Sequence, residues 1–156
     1  MSKHIPSSQT EYKQGLYKLQ HPLKYIGNPD ECYYRSSWEL RFMKYCDLNT
    51  GVLKWGSEIH RITYIDFKGK QRTYIPDFYM ETVKGTFIVE IKPEQETQEP
   101  IVPKGHISAS KMRSLEYLSQ TWTKNNHKWH FAKEWCQSRG FQFKIVTESS
   151  LFKINP

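Results

Sequence analysis

YIPDFYMETVKGTFIVEIK, residues Tyr74–Lys92, is the stretch on which the fold of this 156-residue chain depends. Both halves are rich in β-branched and aromatic residues, and Gly85 between them suits the turn of a β-hairpin. Because side chains alternate faces along a strand, Glu90 and Lys92 must project from the same face of the second strand, and Asp77 can lie across from them. The stretch therefore predicts a hairpin that carries two carboxylates and an ammonium group together.

Two carboxylates on one face are costly for a fold that needs only to be stable. Like charges a few Å apart raise a carboxyl pKa, and burial adds to the cost unless a counter-charge is present. A divalent cation supplies that charge: Mg²⁺ prefers oxygen ligands, and carboxylates, water and phosphate oxygens complete its shell. This is the chemistry of phosphodiester hydrolysis, in which Lys92 can position the attacking water. The alternative is that these are ordinary polar residues on the solvent-exposed face of a hairpin.

Composition and charge indicate the class of partner. The chain is 37% hydrophobic and 15% aromatic, which fits one domain with a core, and 23 Lys and Arg against 16 acidic residues give a net charge of +7. Positive charge accumulates between positions 104 and 144, where a nucleic-acid backbone can lie; a solubilising basic face is the alternative. The candidate phosphate contacts in this region are Lys111, Arg113, Lys128 and Lys133.

Other classes of site find little support in the sequence. Cys32, Cys46 and Cys136 are far apart and form no CxxC pair, which argues against a disulfide framework or a zinc site and fits a reducing compartment. No apolar run approaches the ~18 residues of a membrane span, and the polar start does not resemble a signal peptide. We expect no membrane association and a protein that lies in the cytoplasm where it is made.

The first predicted helix, SSWELRFMKYCDL, leaves two roles open for Glu39. Ser36 as N-cap with Glu39 three residues later matches a capping box. Glu39 also shares a helix face with the apolar residues Phe42 and Met43, so it can equally bring a third acidic group to a metal site. Arg35, just before the cap, can hold a phosphate near the helix N-terminus.

The remaining elements are predicted from periodicity and turn residues. We expect strands at 58–66 and 72–81, a Pro-rich loop after Lys92 with Glu94, Glu96 and Glu99 in solvent, and a helix at 109–122. A further helix is capped by Asn125 or Asn126 and ends at Gly140, and the last strand is FQFKIV.

The predicted order is helix, strand, strand, strand, helix, helix, strand. The fold class is α/β (α+β), a mixed β-sheet flanked by helices in a single domain over residues 1–156. Residues 1–33 form an irregular arm that packs by its tyrosines, and residues 34–156 form the core.

This order, with Glu on the first helix, PD on the second strand and ExK on the third, resembles the PD-(D/E)xK, restriction-endonuclease-like superfamily. The resemblance implies that Asp77 and Glu90 ligate Mg²⁺ with help from the Ile91 carbonyl, and that Lys92 serves the water. It also implies that Glu39 completes the metal shell directly or through water. Mn²⁺ is also possible, since both ions accept carboxylate oxygens.

Longer runs, including KYIGNP, YRSSWELRFMKYCD, VEIKPEQ and NNHKWHFAKEWC, resemble the head-completion nuclease family of large contractile-tailed phages. TnsA-type transposon endonucleases are more distant relatives. The resemblance covers about residues 14–152 and implies trimming of packaged double-stranded DNA, with portal or neck proteins as partners. It implies work in the host cytoplasm during assembly, with virion association left open. The family's usual acidic run after Trp55 is reduced here, so Glu58 has no assigned role.

Two other functions are considered. A DNA-binding neck or assembly protein that no longer cuts is expected to have a damaged catalytic triad, whereas Asp77, Glu90 and Lys92 are all intact. A TnsA-like transposon or repair endonuclease is expected to come with a further DNA-binding domain or partner subunit. Endonuclease or exonuclease action, sequence preference and oligomeric state remain open from the sequence.

Overall fold

The structure is a computed structural model, and it describes residues 14–153. Within that range, a small two-stranded sheet precedes the first helix. A four-stranded sheet and a separate two-stranded hairpin follow, and a long helix leads to the last strand of the four-stranded sheet. In chain order the elements are β1 (Gly15–Leu16), β2 (Tyr33–Tyr34), α1 (Ser37–Leu48), β3 (Val52–Ser57), β4 (Ile62–Ile65), β5 (Gln71–Tyr74), β6 (Phe78–Thr82), β7 (Gly85–Ile91), α2 (Ala109–Gln137), β8 (Gln142–Val146) and α3 (Glu148–Lys153). No helix in the described range is long and apolar enough to cross a membrane.

The central sheet is mixed, as predicted, with strand order β3-β6-β7-β8. β7 pairs antiparallel with β6 and parallel with β8, and it is buried from Phe87 to Ile91 because helices cover both faces. Val89 packs with the α1 residues Phe42 and Met43, and Ile88 packs with Cys136 of α2. Since faces alternate along the strand, Glu90 points to the same side of the sheet as Ile88.

The predicted extents of two strands are wrong. The strand predicted at 58–66 is shorter, Ile62–Ile65, because Glu58 has a φ of +55°, which an extended strand does not allow. The strand predicted at 72–81 is two strands, since Pro76 lacks the N–H that a continuous ladder requires. β4 and β5 pair with each other in a separate sheet, and the first strand of the central sheet is β3.

The two helices predicted after the loop are one helix, α2, of 29 residues. Asn125 and Asn126 are not caps: Asn125 is buried, and the Asn126 side-chain amide donates to the carbonyl of Trp122 one turn earlier. Nothing in the segment breaks the helix, because it contains neither Gly nor Pro. Its observed end agrees with the prediction, since Gly140 follows with a φ of +71°.

The N-terminal arm packs through tyrosines, as predicted, although it is more regular than expected because β1 pairs with β2. Residues 1–13 of the predicted arm lie outside the described residues. The Tyr17 hydroxyl donates to Oδ2 of the fully buried Asp47 at 2.7 Å, and Tyr25 packs edge-on against Trp55. The three cysteines are buried and free.

Helix α1 begins as the sequence predicted. The Ser36 hydroxyl accepts the backbone N–H of Glu39 at 3.1 Å, which satisfies one of the free donors of the first turn. The Glu39 carboxylate reaches back to the N–H of Arg35 at 2.9 Å, one residue before the position that a capping box prescribes. The N-cap role of Ser36 is therefore confirmed, whereas the Glu39 side chain bonds an N–H that lies just before the helix and does not complete the predicted capping box.

Candidate active site

Asp77 lies between β5 and β6, where the chain crosses from the hairpin to the central sheet. Its Oδ2 accepts the backbone N–H of Ile91 at 2.7 Å, and its own carbonyl accepts the N–H of Glu58 at 2.9 Å. These two bonds fix the carboxylate against the end of β7. Asp77 therefore lies across from the second strand, as the sequence predicted.

Glu90 is held in place by the β4–β5 hairpin. It is only 5% exposed, and its Oε2 accepts a hydrogen bond of 2.6 Å from the hydroxyl of Tyr74, the last residue of β5. Tyr74 is itself buried, in a cluster with Ile62, Trp129 and Ala132. The β4–β5 hairpin and α2 thus orient the second carboxylate from outside the central sheet.

Lys92 lies on the same side of β7 as Glu90. Its Nζ is 3.9 Å from Glu90 Oε1 and 3.8 Å from Glu96 Oε2. Glu96 was predicted to lie in solvent, and this is wrong: a short 3-10 helix at Glu94–Thr97 folds it back toward the site. Glu94 is also engaged, since it accepts a hydrogen bond from Ser149, whereas Glu99 is exposed as predicted.

The electrostatics of the pair are unfavourable without a further positive charge. Burial, followed by the charges of Glu90 and Glu39, raises the pKa of Asp77 to about 7, although the Ile91 N–H and Lys92 act in the opposite direction. The buried carboxylate of Glu90 and the partly buried carboxylate of Asp77 thus lie close together, and Lys92 is the ammonium group that forms an ion pair with Glu90. Ionising both carboxylates here costs the fold stability, and a bound cation would remove that cost.

The donor set fits a hard divalent cation. One oxygen of each carboxylate is used by the protein, and within residues 14–153 neither Asp77 Oδ1 nor Glu90 Oε1 accepts a hydrogen bond. Two carboxylate oxygens with water and phosphate are a common set for Mg²⁺. Among the described residues no cluster of three or more Asp, Glu, His or Cys side chains able to bind a metal is found, and Glu39 as a third group at the metal, directly or through water, stays a prediction.

Lys128 and Tyr74 are the additional groups that the folded chain brings to the pair. The Nζ of Lys128 on α2 lies 4.5 Å from the centre of the Tyr74 ring, and burial lowers the pKa of this ammonium, while the charges of Glu90 and Asp77 raise it. The sequence named Lys128 as a phosphate contact but placed it on an exposed face. It gave no role to Tyr74; the only signal was its position three residues before Asp77.

The other predicted phosphate contacts lie farther out. Arg35 is exposed and forms an ion pair with Glu58, the residue that had no assigned role. Lys111, Arg113 and Lys133 have exposed side chains on α2. In the described range, no hydrogen bond or ion pair joins any of these four side chains to Asp77 or Glu90, so their contact with DNA stays a prediction.

A mixed sheet flanked by helices, with a carboxylate pair and a lysine on its central hairpin, defines a restriction-endonuclease-like fold. The family described as TnsA-like endonuclease N terminal matches residues 49–148. A curated relative, the head completion nuclease of Enterobacteria phage T4, is 39% identical over 130 residues, which cover 82% of this chain and 86% of that protein. The chain belongs to this TnsA-like endonuclease family, and the predicted resemblance is confirmed.

Proposed function

We propose that this chain is a divalent-cation-dependent nuclease that hydrolyses DNA phosphodiester bonds in phage head completion. Membership of the endonuclease family supports the nuclease activity, and the name of the T4 relative supports the role in head completion. The dependence on Mg²⁺, with Mn²⁺ as a possible substitute, is our addition. The observation behind it is the pairing of the partly buried Asp77 with the buried Glu90, with Lys92 Nζ 3.9 Å from Glu90.

Each side chain has a distinct task in this proposal. Asp77 and Glu90 hold the cation, with the Ile91 carbonyl as a further ligand, and Glu39 acts on it through water. The bound cation supplies Lewis-acid chemistry, which lowers the pKa of water and neutralises charge on the phosphate. Tyr74 keeps the Glu90 carboxylate oriented through its hydrogen bond.

The two lysines act on the substrate. The ammonium of Lys92, next to Glu90, orients the attacking water and offsets the negative charge that develops on the phosphate oxygens. Lys128, on the opposite wall of the site, binds the scissile phosphate and holds it over the carboxylates. Arg35, Lys111, Arg113 and Lys133 then contact the flanking backbone without reading bases.

The substrate is packaged double-stranded DNA, and portal or neck proteins are the proposed protein partners. The work is done in the host cytoplasm during assembly, and the protein can stay with the virion afterwards. We take the trimming of DNA at the portal, before head and tail join, as the step that needs the cut.

Cleavage of supercoiled and linear double-stranded DNA tests the function. Mg²⁺ should support cutting by the wild type, EDTA should abolish it, and Asp77→Ala should be inactive while still binding DNA. Lys44→Ala, which removes an exposed lysine of α1, is the matched control and should cut like the wild type. If the wild type binds DNA but cuts with neither Mg²⁺ nor Mn²⁺, the protein is a binding or assembly factor and the proposed activity is wrong.

A further inference from the structure

The turn of the β4–β5 hairpin is a rigid feature outside the active site. Asp66 organises it: its Oδ1 accepts the backbone N–H groups of Lys68 and Lys70 at 2.9 Å each, and its Oδ2 accepts Arg72 Nε at 2.9 Å. Gly69 closes the turn with a φ of +76°. These bonds therefore hold the backbone of the turn in one conformation.

The turn is also docked on helix α2. His127 Nε2 lies 2.6 Å from the carbonyl oxygen of Ile65, so this nitrogen carries the proton and donates it. Phe67 lies against the same His127, with ring centroids 4.1 Å apart and planes inclined by 35°. Hairpin and helix thus form one surface, and we call it the hairpin–helix groove.

The groove consists of two adjoining cavities. One, of about 390 Å³, is lined by Tyr64, Asp66, Phe67, Lys68, Arg72 and Lys124. The second, of about 220 Å³, is lined by Phe67, Ser119, Gln120, Thr123 and Lys124. Phe67 and Lys124 line both, and the Phe67 side chain is 63% exposed, although burying it would be favourable.

The charge of the groove suits a polyanion. Lys68 and Lys124 line the groove, and Lys70 lies beside it in the turn. All three lysines are exposed, and no carboxylate within the described residues forms an ion pair with any of them. The one acid in the groove, Asp66, is already paired with Arg72, which together with the backbone bonds lowers its pKa to about 2. The groove therefore keeps a net positive charge.

The groove continues from the active site. Lys124 lies four residues before Lys128 on α2, so the two lysines are on one helix face, about 6 Å apart along the axis. Strand β5 also joins the two places. It runs about 13 Å from the turn at Lys70 to Tyr74, whose hydroxyl holds Glu90. A DNA strand bound at Lys128 can run along this face into the groove.

We propose that the hairpin–helix groove binds an unpaired DNA strand that flanks the cut, with a base stacked on Phe67 and phosphates on Lys68, Lys70 and Lys124. Exposed aromatic side chains among unpaired lysines are the usual means of holding single-stranded DNA. The inference rests on the proposed nuclease function, which makes DNA the substrate. It adds the form of that DNA: duplex ends with a single-stranded overhang should bind more tightly than blunt duplex.

Fluorescence anisotropy tests the proposed binding, with labelled DNA duplexes that carry an overhang or are blunt. Ca²⁺ replaces Mg²⁺ so that the DNA binds without being cut rapidly. Lys68→Ala with Lys124→Ala should weaken overhang binding about tenfold or more and reduce the slope of log affinity against log salt by about 1 to 2. Phe67→Ala should lower overhang affinity about 5- to 20-fold and leave blunt-duplex affinity nearly unchanged. The double variant Lys44→Ala with Lys84→Ala removes the same charge from exposed positions elsewhere and should bind like the wild type.

Equal binding by the groove variant and the control overturns the inference, even if the wild type cuts DNA. Equal losses on both substrates in Phe67→Ala also contradict it, because they would place duplex and not single strand in the groove. If the groove variant loses overhang binding while the wild type shows no cleavage, the inference stands and the proposed nuclease activity fails.

Discussion

The carboxylate of Asp77 is costly to ionise in the metal-free protein. It is held by the Ile91 N–H, yet burial and the neighbouring charge of Glu90 raise its pKa to about 7. Such a residue is explained by function better than by stability, because a neutral side chain would fit the same place at lower cost.

Asp77→Asn should stabilise the metal-free protein near pH 8 by about 1–3 kcal/mol. The folded pKa of Asp77 lies above its unfolded value, so the wild type is most stable where the group is protonated and loses stability as pH rises from about 4 to 7. The amide oxygen of the introduced side chain can still accept the Ile91 N–H. Urea unfolding in EDTA at pH 5 and pH 8 checks this, and a gain that does not grow with pH would contradict the assigned cause.

Lys128→Met should lower the cleavage rate about 10- to 100-fold while changing DNA affinity by no more than a few-fold. Methionine keeps the packing on Tyr74 and removes only the charge to which we assign the phosphate contact. Single-turnover rates at saturating DNA measure this effect. Lys44→Met, at an exposed position of α1 with no role in DNA binding, is the control, and similar rates for both variants would argue against a place for Lys128 in the site.

At the scale of elements, the N-terminus of α1 joins two roles in one residue. Glu39 accepts the Arg35 N–H just before the helix, and its charge also helps to raise the pKa of Asp77. α1 nevertheless packs on the sheet face that carries Val89, opposite to the side of Glu90. This position explains why Glu39 acts on the site from a distance in the described structure.

Glu39→Gln separates the two roles. The amide oxygen of Gln keeps an acceptor for the Arg35 N–H, so the free energy of unfolding should change by less than about 0.5 kcal/mol. Cation affinity should fall about tenfold, because a water-bridged anionic group is lost. Ser36→Ala is the contrasting variant: it should cost about 1 kcal/mol of stability. Unchanged cation affinity in Glu39→Gln would leave Glu39 with the bond to the Arg35 N–H alone.

The elements also show what the sequence could predict. α1, the β6–β7 hairpin and the last strand, β8, follow from local periodicity and turn residues, and the structure confirms them. The break at Pro76 and the continuity of α2 had signals in the sequence, a proline in one case and the lack of any helix breaker in the other. The φ of Glu58 had none, since few non-glycine residues adopt that conformation.

At the scale of the whole molecule, the site is assembled from parts that are distant in the chain. Asp77, Glu90 and Lys92 come from one hairpin and could be named from spacing, whereas Tyr74 and Lys128 reach the pair only because the β4–β5 hairpin packs on α2. Side chains brought in by tertiary packing leave no fixed spacing in the sequence. Glu96 escaped prediction for the same reason, since its Pro-rich segment folds back on Lys92.

The most direct test of the account is calorimetric titration of Mg²⁺, with Mn²⁺ as the check, into the wild type, Asp77→Asn and Lys92→Ala, each then assayed for DNA cleavage. We predict that the wild type binds the cation and cuts, that Asp77→Asn loses both, and that Lys92→Ala binds the cation but cuts at least about 100-fold more slowly. Cation affinity in Asp77→Asn equal to that of the wild type would contradict the central claim that this carboxylate pair is the metal site.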